Sequence, residues 1–277
     1  MRRLSMKFYQ LSMIITFLCY GLQVDAFWSK LVNNISTRIN NTTDTIQHKE
    51  FSQAKHLELN NHNGTIIINS WKQNSIAVEV VTSCSESLHK DIKVTMEQIK
   101  DVVKVHTVFT DDTTKGSVVF NILLPKNTNL TITTKQGDII IKDVNSEMNL
   151  ETLEGNIKLV NPHDSLQART ENGNILIRTD SIESSKEFNV TSDKGNVEIY
   201  TTQAINTSLH ASALQGKIIS DLPITLDSKT TVLNAEAWKK FRQAVHGIIG
   251  EPESILNITT HNGSITIMPY MKQSDIF

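Results

Sequence analysis

The chain has 277 residues and a formal net charge of −2, from 27 Lys and Arg against 29 Asp and Glu. Both signs are interspersed, which argues against nucleic acid as a partner because such binding requires a basic surface. Proline is scarce while Asn, Thr and Ile are prominent, so the composition favours β-structure over helix.

The first 26 residues have the pattern of an export signal. Three basic residues precede the largely apolar run Phe8–Leu22, and small residues then precede Phe27. We therefore predict cleavage between Ala26 and Phe27 and an exported protein, located in the periplasm, at the cell surface or outside the cell. A single N-terminal membrane anchor is the alternative, although the apolar run is short for a span. The mature chain would have no transmembrane span and only one cysteine, Cys84, hence no internal disulfide.

Residues 27–50 are predicted to form an N-terminal cap or a flexible segment. Five apolar residues in this stretch share one helical face: Trp28, Leu31, Val32, Ile35 and Ile39. Such a helix would cover exposed strand edges at one end of the domain that follows.

A twelve-residue pattern recurs through residues 51–270: apolar–x–apolar–x–small–x–x–Gly–x–Ile–x–Ile. Its clearest copies are LTITTKQGDIII (Leu130–Ile141), MNLETLEGNIKL (Met148–Leu159), LQARTENGNILI (Leu166–Ile177) and FNVTSDKGNVEI (Phe188–Ile199). More divergent copies are LELNNHNGTIII (Leu57–Ile68), LHASALQGKIIS (Leu209–Ser220) and LNITTHNGSITI (Leu256–Ile267). The glycines of the pattern, in chain order, are Gly64, Gly137, Gly155, Gly173, Gly195, Gly216 and Gly263.

The pattern predicts two short strands per copy, because apolar and polar residues alternate on both sides of each glycine. The glycine would form the corner between the strands, where a positive φ favours Gly. A unit this small cannot bury its apolar face alone and must stack on copies of itself. We therefore predict an all-β fold, a single-chain parallel β-solenoid or β-helix, with right-handed coils of 18–22 residues. The inward positions lie seven and five residues before and two and four after each glycine, and among them only Ser220 is polar.

The residue after the glycine is Asn156, Asn174 and Asn196 in three successive copies, with Asp138 in the copy before them. Stacked amides can hydrogen-bond along such a column, so we predict a structural asparagine ladder. A column of bound calcium is the alternative, but one Asp in four coils offers few carboxylates for it.

Four further strands are predicted between Gly64 and Gly137, without the glycine: Ser75–Thr82, Ile92–Met96, Val102–Phe109 and Ser117–Leu124. They would form either irregular coils or an antiparallel sheet. Gly64 lies 73 residues before Gly137, which is close to four coils and favours irregular coils.

A helical insert is predicted over about residues 233–247, because Trp238, Phe241, Val245 and Ile248 share one helical face. This helix would cap the second end of the solenoid. The alternative is a membrane-surface or partner-binding helix over Trp238–Ile249. Residues 271–277 would form a tail.

The run VVFNILLPKNTNLTITTKQGDIII (Val118–Ile141), the repeated T-x-x-G-x-I turns and the final LNITTHNGSITI resemble a bacterial family. This is the DUF4097 family of exported, putative adhesin-like β-solenoid domains of unknown function. The resemblance spans about Leu57–Met268 and implies a parallel β-helix-like fold outside the cytoplasm. It supplies no catalytic residues, and the long insert between Gly216 and Gly263 departs from the usual pattern.

The pattern predicts no catalytic, cofactor-binding or metal-binding site. Five acidic residues near the corners of consecutive coils are the candidates for glycan chemistry: Asp138, Asp143, Glu151, Glu154 and Glu171. Outward positions of a solenoid are polar in any case, and lysines are interspersed among these acids, which favours a surface role. His62 and His261 occupy equivalent corners, but in the first and last glycine coils, too far apart to share a metal ion.

We therefore expect an exported, non-catalytic β-solenoid that serves as an adhesin or cell-envelope scaffold. Its repetitive outward side chains would contact a glycan or a cell-envelope protein. The alternatives are a carbohydrate-active lyase or hydrolase of the β-helix type, and a partner in envelope signalling. The sequence does not specify an oligomeric state.

Overall fold

The structure, a computed structural model, describes residues 43–111, 115–202, 205–226 and 243–269. The chain divides into two units, Met1–Thr42 and Thr43–Phe277, and the fold below is that of the second unit. The predicted signal peptide with its Ala26–Phe27 cleavage site, the helical face after it and the 271–277 tail all lie outside the described residues.

The described part of the chain is almost entirely β-strand and forms two sheets. The strands of the first sheet are β1 (Thr43–Ser52), β3 (Ile66–Trp71), β4 (Ser75–Cys84), β7 (Gly116–Pro125), β9 (Ile139–Lys142), β11 (Ile157–Val160), β13 (Ile175–Thr179), β15 (Val197–Thr201), β17 (Ile218–Ser220) and β21 (Ile265–Pro269). The strands of the second sheet are β2 (His56–Asn63), β5 (Ile92–Ile99), β6 (Val102–Phe109), β8 (Asn129–Gln136), β10 (Met148–Glu154), β12 (Leu166–Asn172), β14 (Glu187–Lys194), β16 (Thr207–Ala213), β18 (Thr225–Leu226), β19 (Ala244–Ile249) and β20 (Ser254–Asn262).

Each copy of the sequence pattern places one strand in each sheet, joined at its glycine, and we call such a pair a coil. The first sheet runs β1-β4-β7-β3-β9-β11-β13-β15-β21-β17, and the second runs β18-β19-β16-β20-β14-β12-β10-β8-β2-β6-β5. Inward residues from both sheets form one hydrophobic core. The all-β prediction is confirmed and the fold is β-solenoid-like, although both sheets are mixed and not purely parallel.

The inward positions predicted from the pattern form columns through the core. In the second sheet Leu130, Met148, Leu166 and Phe188 pair in parallel register, each with the next. Across all seven coils these inward positions are buried, except Ile218 and Ser220. Because stacked coils lie about 4.8 Å apart, each apolar side chain packs on its counterpart above and below. Strand register therefore follows directly from the repeat.

Residues 75–124 combine both arrangements that the sequence left open. Strands β6 and β7 pair in parallel with β2 and β3 and continue the stack, whereas β4 and β5 pair antiparallel with β7 and β6. The Gly64 coil pairs directly with the Gly137 coil. The expectation of about four coils between these glycines is therefore wrong, because the intervening strands lie on the outer side of the Gly64 coil.

Antiparallel strands and a short 3₁₀ helix close this end of the core. The helix spans Glu86–Asp91 and connects β4 in the first sheet to β5 in the second. Leu88 packs against the core, as does Ile92 where β5 begins. Strand β1 adds to β4 in antiparallel register and forms the last strand of the first sheet. Within the described residues, strands thus take most of the role that the sequence assigned to capping helices.

The order of coils at the other end differs from their order in the sequence. The β20/β21 coil, with Gly263, lies between the Gly195 coil and the β16/β17 coil, with Gly216. The β16/β17 coil has the weakest copy of the pattern, and its strand β17 has only three residues. The fully apolar positions of the Gly263 copy offer better columns to the Gly195 coil, so the weakest coil lies outermost.

The prediction of a helix is wrong for the C-terminal part of that segment. Residues Ala244–Ile249 form β19, which pairs antiparallel with β16, with Val245 and Ile249 buried and His246 exposed. Backbone pairing with the open edge of β16 outweighs the three-residue spacing of Val245 and Ile248 that suggested a helix. Residues 227–242 lie outside the described residues. No helix in the described ranges combines the length and apolar character needed to cross a membrane.

Candidate functional site on the outer face of the second sheet

The repeat glycines form one continuous column at the corner of the stack. A Cβ atom on Gly137 would overlap the carbonyl oxygen of Gly64, and one on Gly155 would overlap that of Gly137. The same overlap repeats along the column at Gly173, Gly195, Gly263 and Gly216. A side chain at any of these corners would force two coils apart, so the column serves coil-on-coil packing.

The positive φ angle that the sequence predicts for these glycines occurs at only some of them. The φ angle is +124° at Gly64 and +147° at Gly137, a region that disfavours side chains. At Gly173 and Gly263 φ lies outside that region. Close approach to the neighbouring carbonyl is the requirement that all seven share.

A column of buried hydroxyl groups supports the glycine column, and sequence reasoning missed it. Thr152 Oγ1 donates to the Gly137 carbonyl at 3.1 Å, and Thr170 Oγ1 donates to the Gly155 carbonyl at 2.9 Å. Ser192 and Thr260 make the equivalent bonds in the next coils. The only signal in the sequence is the small residue three positions before each glycine. The acceptor of its hydroxyl group lies one coil away.

The residues that follow the glycines form a hydrogen-bonded chain, the asparagine ladder. Asp138 Oδ1 accepts from the backbone N–H of Asn156 at 2.7 Å and from its side-chain amide at 2.9 Å. Asn156 Oδ1 accepts from the N–H of Asn174, and Asn174 Oδ1 from that of Asn196. Asn196 Oδ1 accepts from the N–H of Ser264. Most of these bonds join a side chain to a main chain, where the sequence suggested amide-to-amide contacts.

The structure disperses three of the acidic residues considered for catalysis. Asp138 and Asp143 flank opposite ends of β9, and Asp143 Oδ1 accepts from Asn161 Nδ2 at 2.6 Å. Glu154 accepts from Gln136 Nε2 at 3.1 Å. Each of these carboxylates therefore contacts an amide of the neighbouring coil, which is the role expected of a surface residue.

The outer face of the second sheet carries a chain of ion pairs, extended by one histidine–carboxylate contact, across four adjacent coils, and we call it the ion-pair chain. Arg169 Nη2 lies 2.7 Å from Asp193 Oδ2, and Arg169 Nε lies 3.8 Å from Glu151 Oε1. His261 Nδ1 lies 3.2 Å from Asp193 Oδ1. Glu171 is exposed on the same strand as Arg169. Exposed pairs contribute little to stability, so this chain is available to a ligand at small cost to the fold.

A second column on this face consists of side-chain amides, and we call it the amide column. Asn149, Gln167, Asn189 and Asn257 pair in register on β10, β12, β14 and β20. The first three are exposed and the last is half-buried. Asn257 Nδ2 donates to Asn189 Oδ1 at 2.9 Å. Four amides thus lie in a row at the spacing of the strands, about 4.8 Å.

The two histidines of equivalent corners are not brought together. His62 stacks on Phe109 with ring centroids 4.6 Å apart, near one end of the stack. His261 lies on β20, with the Gly137, Gly155 and two further coils between the two histidines. Since Gly263 belongs to the second-last glycine coil, the expectation that His261 lies in the last one is wrong.

Ion pairs and burial shift several ionisation equilibria. Glu58 accepts from Lys104 Nζ at 2.8 Å, and this hydrogen bond raises the pKa of Lys104. A hydrogen bond to Asp164 likewise raises the pKa of Lys186. Burial raises the pKa of the Cys84 thiol, which is 1% exposed at the end of β4, so Cys84 is an inert core residue.

The chain matches the family model described as Toastrack DUF4097 over residues 30–268, and it belongs to this family. The family resemblance of the sequence is therefore confirmed. No curated protein matches the sequence significantly.

Several solved structures are similar at low identity. A putative cell adhesion protein from Clostridium sporogenes has 12% identity and a TM-score of 0.48, over 82% of this chain and 100% of that one. A putative adhesin from Bacteroides fragilis has 11% identity and a TM-score of 0.41, over 82% and 97% of the two chains. A putative lipid binding protein from Parabacteroides distasonis has 12% identity and a TM-score of 0.29, over 81% and 96%.

Proposed function

We propose that this protein is an exported, non-catalytic binding protein that holds a cell-envelope glycan on the outer face of its second sheet. The observation that carries the proposal is the amide column formed by Asn149, Gln167, Asn189 and Asn257. A carboxamide both donates and accepts hydrogen bonds, as sugar hydroxyls do. A row of such groups at constant spacing suits a polymer of repeating units, because many weak contacts add up.

The neighbouring ion-pair chain would add contacts to charged or hydroxyl groups of the same polymer. Arg169 is 44% exposed while it bridges Glu151 and Asp193, so its guanidinium keeps donors free for a ligand. The three acids discussed above contact amides of neighbouring coils, which supports binding without bond cleavage.

A glycan and cell-envelope array, probed with the mature protein from Phe27 onward, tests this function. We expect binding to at least one polymeric glycan and no release of product. Replacing both Asn149 and Gln167 with Ala should weaken binding, whereas Lys158→Ala on the outer face of the first sheet should not. Turnover of any glycan would contradict the proposal, as would equal effects of the two sets of variants. Binding to an envelope protein alone would replace the glycan as the ligand.

Export is a separate part of this proposal, supported by the basic and apolar pattern of the first 26 residues. Cell fractionation followed by N-terminal sequencing tests it. We expect the protein outside the cytoplasm with Phe27 as its first residue. An unprocessed chain in the cytoplasm would contradict export.

A further inference from the structure

Two histidines face each other at the end of the second sheet. His210 on β16 and His246 on β19 are directly paired in antiparallel register, and both are exposed on the outer face. Their ring centroids are 5.2 Å apart and the rings are tilted by 51°. The pair cannot be found from the sequence, because the sequence predicts a helix for the segment that contains His246.

The hydrogen bonds behind His210 determine which of its ring nitrogens carries the proton. Asn257 Nδ2 donates to Glu187 Oε1 at 2.7 Å, and a carboxylate can only accept, so the amide nitrogen must face Glu187. The amide oxygen of Asn257 then faces His210 Nδ1 at 3.0 Å. The proton of a neutral His210 is therefore on Nδ1, and the lone pair on Nε2 points away from Asn257.

This arrangement is the one that metal-binding histidines use. A ligating imidazole commonly donates its second ring N–H to an oxygen acceptor, which orients the ring and makes the ligating nitrogen more basic. Glu187 and Asn257 supply that acceptor chain for His210.

The separation of the two rings also fits a shared cation. A zinc ion lies about 2.0–2.1 Å from each histidine nitrogen in a tetrahedral site. Two imidazoles bound in this way have their centroids roughly 5 Å apart, close to the 5.2 Å between His210 and His246. The spacing of the two rings therefore already matches that of a chelating pair.

We propose that His210 and His246 chelate one divalent transition-metal cation of the Zn²⁺ or Cu²⁺ class, with water completing its coordination. Imidazole ligands favour these metals over Mg²⁺ and Ca²⁺, which prefer oxygen. Within the described ranges no three His, Cys, Asp or Glu side chains converge, so the described residues contribute two ligands. The site shares Asn257 with the amide column, but metal binding can be measured without any glycan.

Calorimetric titration of the untagged, metal-free mature protein with Zn²⁺ tests the site. We expect His210→Ala and His246→Ala each to lower the association constant at least about tenfold, since each removes half of the chelate. Asn257→Ala should lower it about 10–100-fold by releasing the orientation of His210. His106→Ala, an exposed histidine on β6 at the other end of the same sheet, is the matched control and should have no effect.

Cu²⁺ provides a second readout, since electron paramagnetic resonance should detect two nitrogen ligands in the wild type and one in either histidine variant. The circular dichroism spectrum of the metal-free variants should match that of the wild type, because both side chains are exposed. Absence of Zn²⁺ binding in the wild type would overturn the proposal. Loss of binding in only one of the two histidine variants, or an equal loss in His106→Ala, would also overturn it.

Discussion

The coils of Gly155, Gly173 and Gly195 follow one another in both sequence and space, whereas those of Gly216 and Gly263 exchange places. All of these coils use the same inward positions and the same glycine column. The repeat therefore determines the register of a coil against its neighbour, but it does not determine which coil that neighbour is. Stack order depends on which copy offers the better columns and on where the intervening segments run.

The largest expected difference between the regular coils and the Gly216 coil is the cost of burying a charge. Ile157 is fully buried between two coils, while Ile218 lies partly exposed in the outermost coil. Ile157→Asp should destabilise the protein by more than about 4 kcal/mol, because it buries an unpaired carboxylate. Ile218→Asp should cost much less, since the carboxylate can reach water.

Thermal and urea unfolding measure this difference, with Lys158→Asp on the outer face as the control. The control should change stability by no more than about 0.5 kcal/mol. If Lys158→Asp and Ile157→Asp had equal effects, the inward register would be wrong. If Ile218→Asp matched Ile157→Asp, the Gly216 coil would not be outermost.

Glycine substitutions separate close packing from backbone conformation. Gly155 has a φ of +159° and Gly173 lies outside the positive-φ region, yet a Cβ on either would overlap the carbonyl of the preceding coil. Both Gly155→Ala and Gly173→Ala should therefore cost about 2 kcal/mol or more. Gly216→Ala should cost less, because β17, which follows Gly216, ends the described part of the first sheet and can move away. Urea unfolding measures these changes in stability. A neutral effect of Gly173→Ala would contradict the close packing of the glycine column.

The smallest expected effect comes from the asparagine ladder. Asn174→Ala removes the acceptor of the Asn196 N–H and should cost about 1 kcal/mol. Asn196→Ala should remove the acceptor of the Ser264 N–H at a similar cost in stability. Amide hydrogen exchange would detect faster exchange of Ser264 in the second variant. Faster exchange of Lys217 instead would indicate that the coils stack in sequence order.

The sequence correctly predicts the features that depend on residues within one coil, such as which side chains point inward. The burial of Leu150 and Ile157 follows from a period of two on either side of Gly155. The pattern identifies Thr152 only as a small residue. The acceptor of its hydroxyl group, the Gly137 carbonyl, belongs to another coil, so a single copy of the pattern does not reveal it.

The errors arise where the chain leaves the repeat. Val245 and Ile248 have a spacing that fits one helical face, yet Ala244–Ile249 pairs with the free edge of β16. That edge exists only because the Gly263 coil displaces the Gly216 coil outward, which no local pattern reveals. The paired histidines of the candidate metal site depend on the same strand, so they too could not be predicted.

Disulfide cross-linking tests the exchanged order of the last two coils most directly. Thr191 and Thr259 pair on neighbouring strands, and Ser212 pairs with Thr259 on its far side. Neighbouring strands lie about 4.8 Å apart, whereas a disulfide cannot span more than about 7 Å between Cα atoms. In a Cys84→Ala background, cysteines at 191 and 259 should form an intramolecular disulfide under mild oxidation, and cysteines at 191 and 212 should not. The opposite result would show that the Gly216 coil adjoins the Gly195 coil and would contradict the exchanged order.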